Sequence, residues 1–148
     1  MSWKFYNSLG QEITSVAGAA SDWKNSVRVA STAPVTIAAP GASIDGVPLL
    51  SGERVLLKNQ GGGASHIHNG IYVWNSAIVP MTRALDANDN VDITTGTTVY
   101  VEEGTANTRL SFTLVTTGSI IIGSTPLSFV QAIGGVSAQS NRRSWFGV

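Results

Sequence analysis

Two histidines one residue apart, His66 and His68, form the pattern in this sequence best suited to binding a metal ion. In an extended chain their side chains lie on the same side. Three copies of the chain around an axis would bring about six imidazoles together, a set that suits octahedral iron or nickel. The alternative is a solvated hairpin loop. We predict that alternative, and therefore no metal and no cofactor.

A second metal-like pattern lies between residues 86 and 92. Oxygen-bearing side chains stand at the first, third, fifth and seventh positions of a calcium-loop spacing, as Asp86, Asn88, Asn90 and Asp92. The sixth position is Val91 instead of glycine, and the twelfth is Thr97 instead of a bidentate glutamate. Asp and Asn also form turns without metal, so the segment is predicted to be a turn.

Residue types suited to catalysis are poorly placed. Glu102 and Glu103 are adjacent, so in a strand they point to opposite faces and cannot flank one glycosidic bond. The sequence contains no G-x-S-x-G or H-E-x-x-H motif, and it has no cysteine to act as nucleophile or zinc ligand. A histidine triad stays open on sequence grounds. We nevertheless predict that the protein is not an enzyme.

Four aromatic residues, Trp23, Tyr72, Trp74 and Tyr100, could stack on a sugar. Aromatic side chains in β-rich proteins more often pack in the core. Glycan binding is therefore the alternative to a packing role.

The elements that must position these residues are short strands. Runs with period-two alternation predict strands at residues 54–58, 71–74, 98–102, 110–114 and 127–131, with weaker candidates at 27–30, 35–38 and 120–122. A helical turn is expected near residues 83–90. These elements predict an all-β fold with one sandwich or barrel-like domain over residues 23–132, flanked by extended segments at 1–22 and 133–148.

Face assignments follow from the alternation. Val55 and Leu57 should share one face of their strand. Ile71 and Val73 should share a face of the next strand, with its two aromatics on the other. Asn69-Gly70 is a strong hairpin signal, because both residues tolerate positive φ, and should lie at or beside the turn joining these strands.

The two ends carry aromatic and basic residues that are typical interface anchors. The predicted partner-docking residues are Trp3, Phe5, Tyr6, Arg142, Arg143, Trp145 and Phe146. The alternative is that the ends fold back on their own core.

Composition narrows the class of partner. The formal net charge is zero and 12% of residues are charged, against about 25% in a typical protein. We therefore expect no nucleic-acid partner, and a surface either covered by other subunits or rich in Ser and Thr. From the first residues we expect no signal peptide, and from the lack of a long apolar run we expect no membrane insertion.

Five sequence blocks, in order, carry a resemblance to a known class of protein. They are DG at 45–46, GERVLLKNQ at 52–60, NGIY at 69–72, TRALD at 82–86 and VYVEEG at 99–104. The order resembles that in a β-rich module of bacteriophage tail fibres, tailspikes and related virion appendages.

The resemblance implies a non-enzymatic structural protein of the virion, made in the host cytoplasm. It implies a surface-exposed fibre or tail-associated module that contacts other virion proteins and forms a homotrimer. The alternatives are a capsid decoration or head-fibre protein, and an adhesin that binds host-surface glycans.

Overall fold

The protein is described by a computed structural model over residues 22–132, and this part of the chain is all-β. Its elements are ten short strands and two 3-10 turns. The strands are β1 (Val29–Ala30), β2 (Ser43–Ile44), β3 (Val47–Pro48), β4 (Arg54–Leu57), β5 (Ser65–His66), β6 (Gly70–Val73), β7 (Thr82–Arg83), β8 (Thr98–Tyr100), β9 (Ser111–Leu114) and β10 (Leu127–Gln131). The 3-10 turns are Gln60–Gly62 and Leu85–Ala87, and the second is the helical turn predicted from sequence.

The strands form two four-stranded sheets and a small hairpin. The first sheet has the order β1-β4-β6-β7 and the second the order β5-β10-β9-β8, while β2 pairs with β3. Only β1 and β4 pair in parallel among these strands.

Two chain segments pass from one sheet to the other. Ahead of β1, Trp23 and Val27 form parallel bridges to Thr98 and Val101, so this segment edges the second sheet before joining the first. Between β4 and β6, the chain crosses to the second sheet to form β5.

The main core fills the space between the two sheets. Leu56 and Ile71 come from the first sheet, and Val99, Phe112 and Leu127 come from the second. The alternate residues of β8, β9 and β10 point away from this core, as the period-two pattern predicted.

A second core covers the opposite face of the first sheet. Val55, Leu57, Tyr72 and Trp74 lie there, beneath a layer that includes Ile44, Leu49 and Met81. The indole of Trp74 also donates a hydrogen bond to the Gly41 carbonyl of this layer, at 2.9 Å. The predicted face assignments of β4 and β6 are therefore confirmed, but both faces are buried.

The strand predicted at residues 35–38 is wrong. Val35 exchanges hydrogen bonds with the side-chain amide of Gln60, at 2.8 and 2.7 Å, and Ile37 accepts one from Met81. These contacts satisfy backbone groups that a strand would pair in a ladder. The apolar side chains cover the second core from an irregular segment.

The strand predicted at residues 120–122 is also wrong. The backbone N–H of Ile121 donates to Thr125 Oγ1, and that of Ile122 donates to Asn90 Oδ1. Ile120 and Ile122 still pack on the main core, so their apolar character reflects burial without strand pairing.

The predicted hairpin is confirmed in its pairing. β4 and β6 are antiparallel, from Arg54 opposite Val73 to Leu57 opposite Gly70. Residues 58–69 join the two strands in a long connection that includes β5, and Asn69-Gly70 stands at its end, where β6 begins. Gly70 adopts a φ of 148°, whereas Asn69 is not among the positive-φ residues.

Gly70 lies where a side chain would meet Arg83. An added Cβ would stand 2.3 Å from Arg83 Nη1, which is itself fixed by a 3.0 Å hydrogen bond to the Asn69 carbonyl. Gly70→Ala should therefore lower the free energy of unfolding by more than about 1 kcal/mol. Chemical denaturation measures this, with Gly63→Ala as control, because Gly63 has an extended φ and open space around it. Equal stability of the two variants would contradict the close contact.

Candidate functional site

The two histidines lie at the end of β5 and in the turn that follows it. Their ring centroids are 5.4 Å apart. His66 Nδ1 accepts a hydrogen bond from the backbone N–H of His68 at 3.1 Å, so Nε2 is the nitrogen of that ring left to a ligand. The two rings are neighbours, although His68 stands in a turn and not in an extended strand. Across residues 22–132, no group of three or more His, Cys, Asp or Glu side chains could hold a metal ion.

The acidic segment at residues 86–92 uses its oxygens inside the protein. Asp86 accepts hydrogen bonds from both terminal nitrogens of Arg54, at 2.9 and 3.1 Å. Asp89 Oδ1 accepts from the backbone N–H groups of Val91 and Asp92, as in an Asx turn. The predicted turn is confirmed.

Arg54 ties three parts of the chain together. Besides its bidentate contact with Asp86, its Nε and Nη2 donate to the carbonyls of Ser26 and Asn25, at 3.2 and 3.0 Å. Charge-assisted bidentate pairs of this kind are stronger and more directional than neutral hydrogen bonds. The second and fourth sequence blocks thus meet through Arg54 and Asp86.

Arg83 clamps the end of the β5–β6 turn. Its Nη1 and Nη2 donate to the carbonyls of Asn69 and Ile67, at 3.0 and 2.9 Å, and its guanidinium lies 5.0 Å from the ring centre of Tyr72. The Tyr72 hydroxyl donates to the His68 carbonyl at 2.9 Å. Burial lowers the pKa of Arg83 and raises that of Tyr72, and their mutual interaction opposes both shifts.

Asp45 of the first block contacts the residues that directly follow the last block. Its carboxylate accepts hydrogen bonds from the backbone N–H groups of Ala106 and Asn107, at 2.9 to 3.1 Å. A Cβ on Gly104 would lie 2.3 Å from Asp45 Oδ2, so only glycine leaves room for this approach. The Asp of the first block and the Gly of the last block are therefore both needed for this close packing.

Two further ion-pair contacts surround Arg28. Its Nη1 pairs with Glu53, and its Nε lies 3.2 Å from Glu103 Oε2 at an angle that makes no hydrogen bond. Glu102 accepts from the Ser26 hydroxyl instead. Glu102 and Glu103 thus contact different residues, Ser26 and Arg28, of the segment that precedes β1.

Lys58 has a pKa below the usual value for lysine. Burial lowers its pKa, and the charge of Asp45 opposes that shift. Its Nζ donates to Asn59 Oδ1 at 3.2 Å and lies 5.0 Å from the ring centre of Phe112. The amine is therefore held in a cation–π contact, a role that the sequence did not indicate.

The four aromatic residues do not form one platform. Tyr72 and Trp74 are buried in the second core, whereas Trp23 is 64% exposed and Tyr100 is 40% exposed. Trp23 bridges to Thr98, which shares a strand face with Tyr100, so these two lie on the outer face of the second sheet. Val130 on β10 adds a 41% exposed side chain to this face.

The predicted docking residues at the chain ends, from Trp3 to Tyr6 and from Arg142 to Phe146, lie outside the described residues. Their role stays a prediction, as do the docking segments assigned to 1–22 and 133–148.

Comparisons with protein-family models, with curated proteins and with solved structures find no match. Within residues 22–132, the structure contains no helix with the length and apolar character needed to cross a membrane.

Sequence reasoning missed the role of Asn69, which is fully buried. Its Oδ1 accepts from the Gln60 backbone N–H, and its Nδ2 donates to the carbonyls of Leu127 and Ala64. These bonds join the long β4–β6 connection to β10. The NG dipeptide is the only signal in the sequence, and it suggested a turn instead of this network.

Asn69→Asp should destabilise the protein by roughly 2–3 kcal/mol at pH 7, because a buried carboxylate faces the Leu127 carbonyl without a proton to donate. Burial raises the folded-state pKa of such a carboxyl above its unfolded value. The loss should therefore be smallest below about pH 4 and grow as pH rises through the folded pKa.

Denaturation of the variant and the wild type at each pH gives the difference directly. Asn88→Asp introduces the same charge at an exposed position and is the control. A pH-independent loss for Asn69→Asp would contradict the assigned hydrogen-bond donor.

Proposed function

We propose that this protein is a non-enzymatic structural component of a bacteriophage virion, a surface-exposed fibre or tail-associated module. The observation that carries the proposal is the use of the polar residues in the five blocks. Asp45, Arg54, Asn69, Arg83 and Asp86 all bond to other parts of the same domain. The pattern that resembles phage appendages is thus a pattern of folding contacts.

The outer face of the second sheet supports a role in assembly. Its strand positions are occupied by hydroxyl, aromatic and aliphatic side chains, namely Thr98, Tyr100, Ser111, Thr113, Ser128 and Val130. Uncharged faces with aromatic residues are favoured in buried subunit contacts, where desolvated charges are costly. We propose this face as the contact between copies in a homotrimer.

Two alternative functions are compatible with the same uncharged outer face. A capsid decoration or head-fibre protein would use the same structural contacts at a different place on the particle. An adhesin is favoured by one specific observation, the exposed Trp23 and Tyr100 on one face, because aromatic rings stack on sugars. A glycan array with the wild type and Trp23→Ala separates the adhesin from a purely structural protein.

Light scattering of the purified protein at micromolar concentration should give the mass of about three chains. Tyr100→Lys should shift the mass toward one chain, because it places a charge in the proposed contact. Leu85→Lys is the control, since Leu85 is 85% exposed and lies off this face. A monomeric wild type, or equal masses for both variants, would contradict the proposed trimer contact.

The virion assignment is tested in particles of the phage whose genome encodes this chain. Mass spectrometry of purified particles should detect the protein in the wild type. Variants lacking residues 1–12 or 136–148 should keep the melting temperature of the domain but be lost from particles, because the aromatic ends are the proposed docking anchors. Absence of the wild-type protein from particles would overturn the assignment. Normal incorporation of the truncated variants would show that the ends are passive.

A further inference from the structure

An open groove of about 560 Å³ lies between residues 90–95 and residues 118–121. Ile93 and Ile120 line it and belong to the main core, so its floor is continuous with that core. Ile121 lines it as well and is 52% exposed. The hydrogen bond from the Ile122 backbone N–H to Asn90 Oδ1, at 2.9 Å, ties the two walls together.

The described chain begins beside this groove. The Asp22 carbonyl accepts a hydrogen bond from the Thr98 backbone N–H at 2.7 Å, and its Oδ1 accepts one from Thr94 Oγ1 at 3.0 Å. Thr94 is itself a lining residue of the groove.

The direction in which the chain runs at Asp22 also bears on what can reach the groove. The segment after Asp22 runs parallel to β8, through the bridges of Trp23 and Val27 to Thr98 and Val101. This register places Asp22 beside the start of β8, next to Gly96. The Asp22 carboxylate already lies 3.7 Å from the position of a Cβ on Gly96.

The residues immediately before Asp22 match the lining of the groove. Residues 16–20 read Val-Ala-Gly-Ala-Ala, which are apolar and small. Such a segment can bring its backbone close to the groove walls, where the hydroxyl oxygens of Thr94, Thr95 and Ser119 can accept hydrogen bonds from peptide N–H groups. Its apolar side chains would extend the main core over Ile120 and Ile121.

We propose that this groove seats residues 16–20 of the same chain. Asp22 lies at the rim, and residue 19 is three positions before it, a reach of at most about 11 Å, so a segment of the same chain needs no long linker to enter the groove. Docking here fixes where the N-terminal aromatic residues leave the domain. The inference concerns contacts within one chain and does not depend on the virion assignment.

Because the chain contains no cysteine, paired cysteine substitutions give a clean test. Ala19→Cys with Ser119→Cys should form a disulfide under mild oxidation, seen as an intact-mass loss of two hydrogens in a chain that remains monomeric on a non-reducing gel. Ala19→Cys with Thr113→Cys is the control pair, because Thr113 lies on the outer sheet face across from Thr98. Equal cross-linking of both pairs, or a disulfide between two chains, would overturn the proposal.

Hydrogen exchange gives a readout without cysteines. Backbone amides of residues 16–20 should exchange at least ~tenfold more slowly than in an unstructured peptide of the same sequence. Ile121→Asp should remove this protection, whereas Ile78→Asp should keep it, since Ile78 is an exposed apolar residue outside the groove. Unprotected amides in the wild type, or equal loss in both variants, would also overturn the proposal.

Discussion

Burial of the first sheet on both faces is the constraint on which the rest of this domain depends. In β4, the consecutive residues Val55, Leu56 and Leu57 are fully buried, and they alternate between two separate cores. Strands of two to five residues bury little surface each, so a single core between them would be small. The layer over the second core, which includes Ile44 and Leu49, supplies the additional burial that these short strands require.

Long connections between short strands create a second requirement, because their backbone groups must also be paired. The domain meets it with side chains placed at fixed points. Gln60 pairs with both backbone groups of Val35, and Asn69 joins the β4–β6 connection to Leu127 of β10. Arg83 serves two carbonyls of the same connection. Polar side chains thus pair the backbone groups that strand ladders and tight turns pair in more regular β proteins.

The difference between the short strands and the long connections explains what could be predicted from the sequence. Period-two alternation identified β4, β6, β9 and β10 and their faces, because one or both faces of each strand bury apolar side chains. Apolar runs at 35–38 and 120–122 misled the prediction, since hydrophobicity reports burial and not hydrogen-bond pairing. The NG dipeptide at 69–70 correctly indicated the pairing of β4 with β6. It gave no sign that the Asn69 amide spans to Leu127, which is 58 residues away in sequence.

The charged side chains that could bind a ligand are also used in contacts within the domain. Arg28, Arg54 and Arg83 are each engaged with carboxylates or carbonyls of the domain itself. The outer face of the second sheet carries hydroxyl side chains together with the exposed Tyr100, Trp23 and Val130. Recognition through such a face depends on shape and apolar contact, since long-range electrostatic steering needs uncompensated charge. Residues 22–132 have few charges and use most of them internally, which favours the proposed permanent contacts within an assembly over rapid capture of a charged ligand.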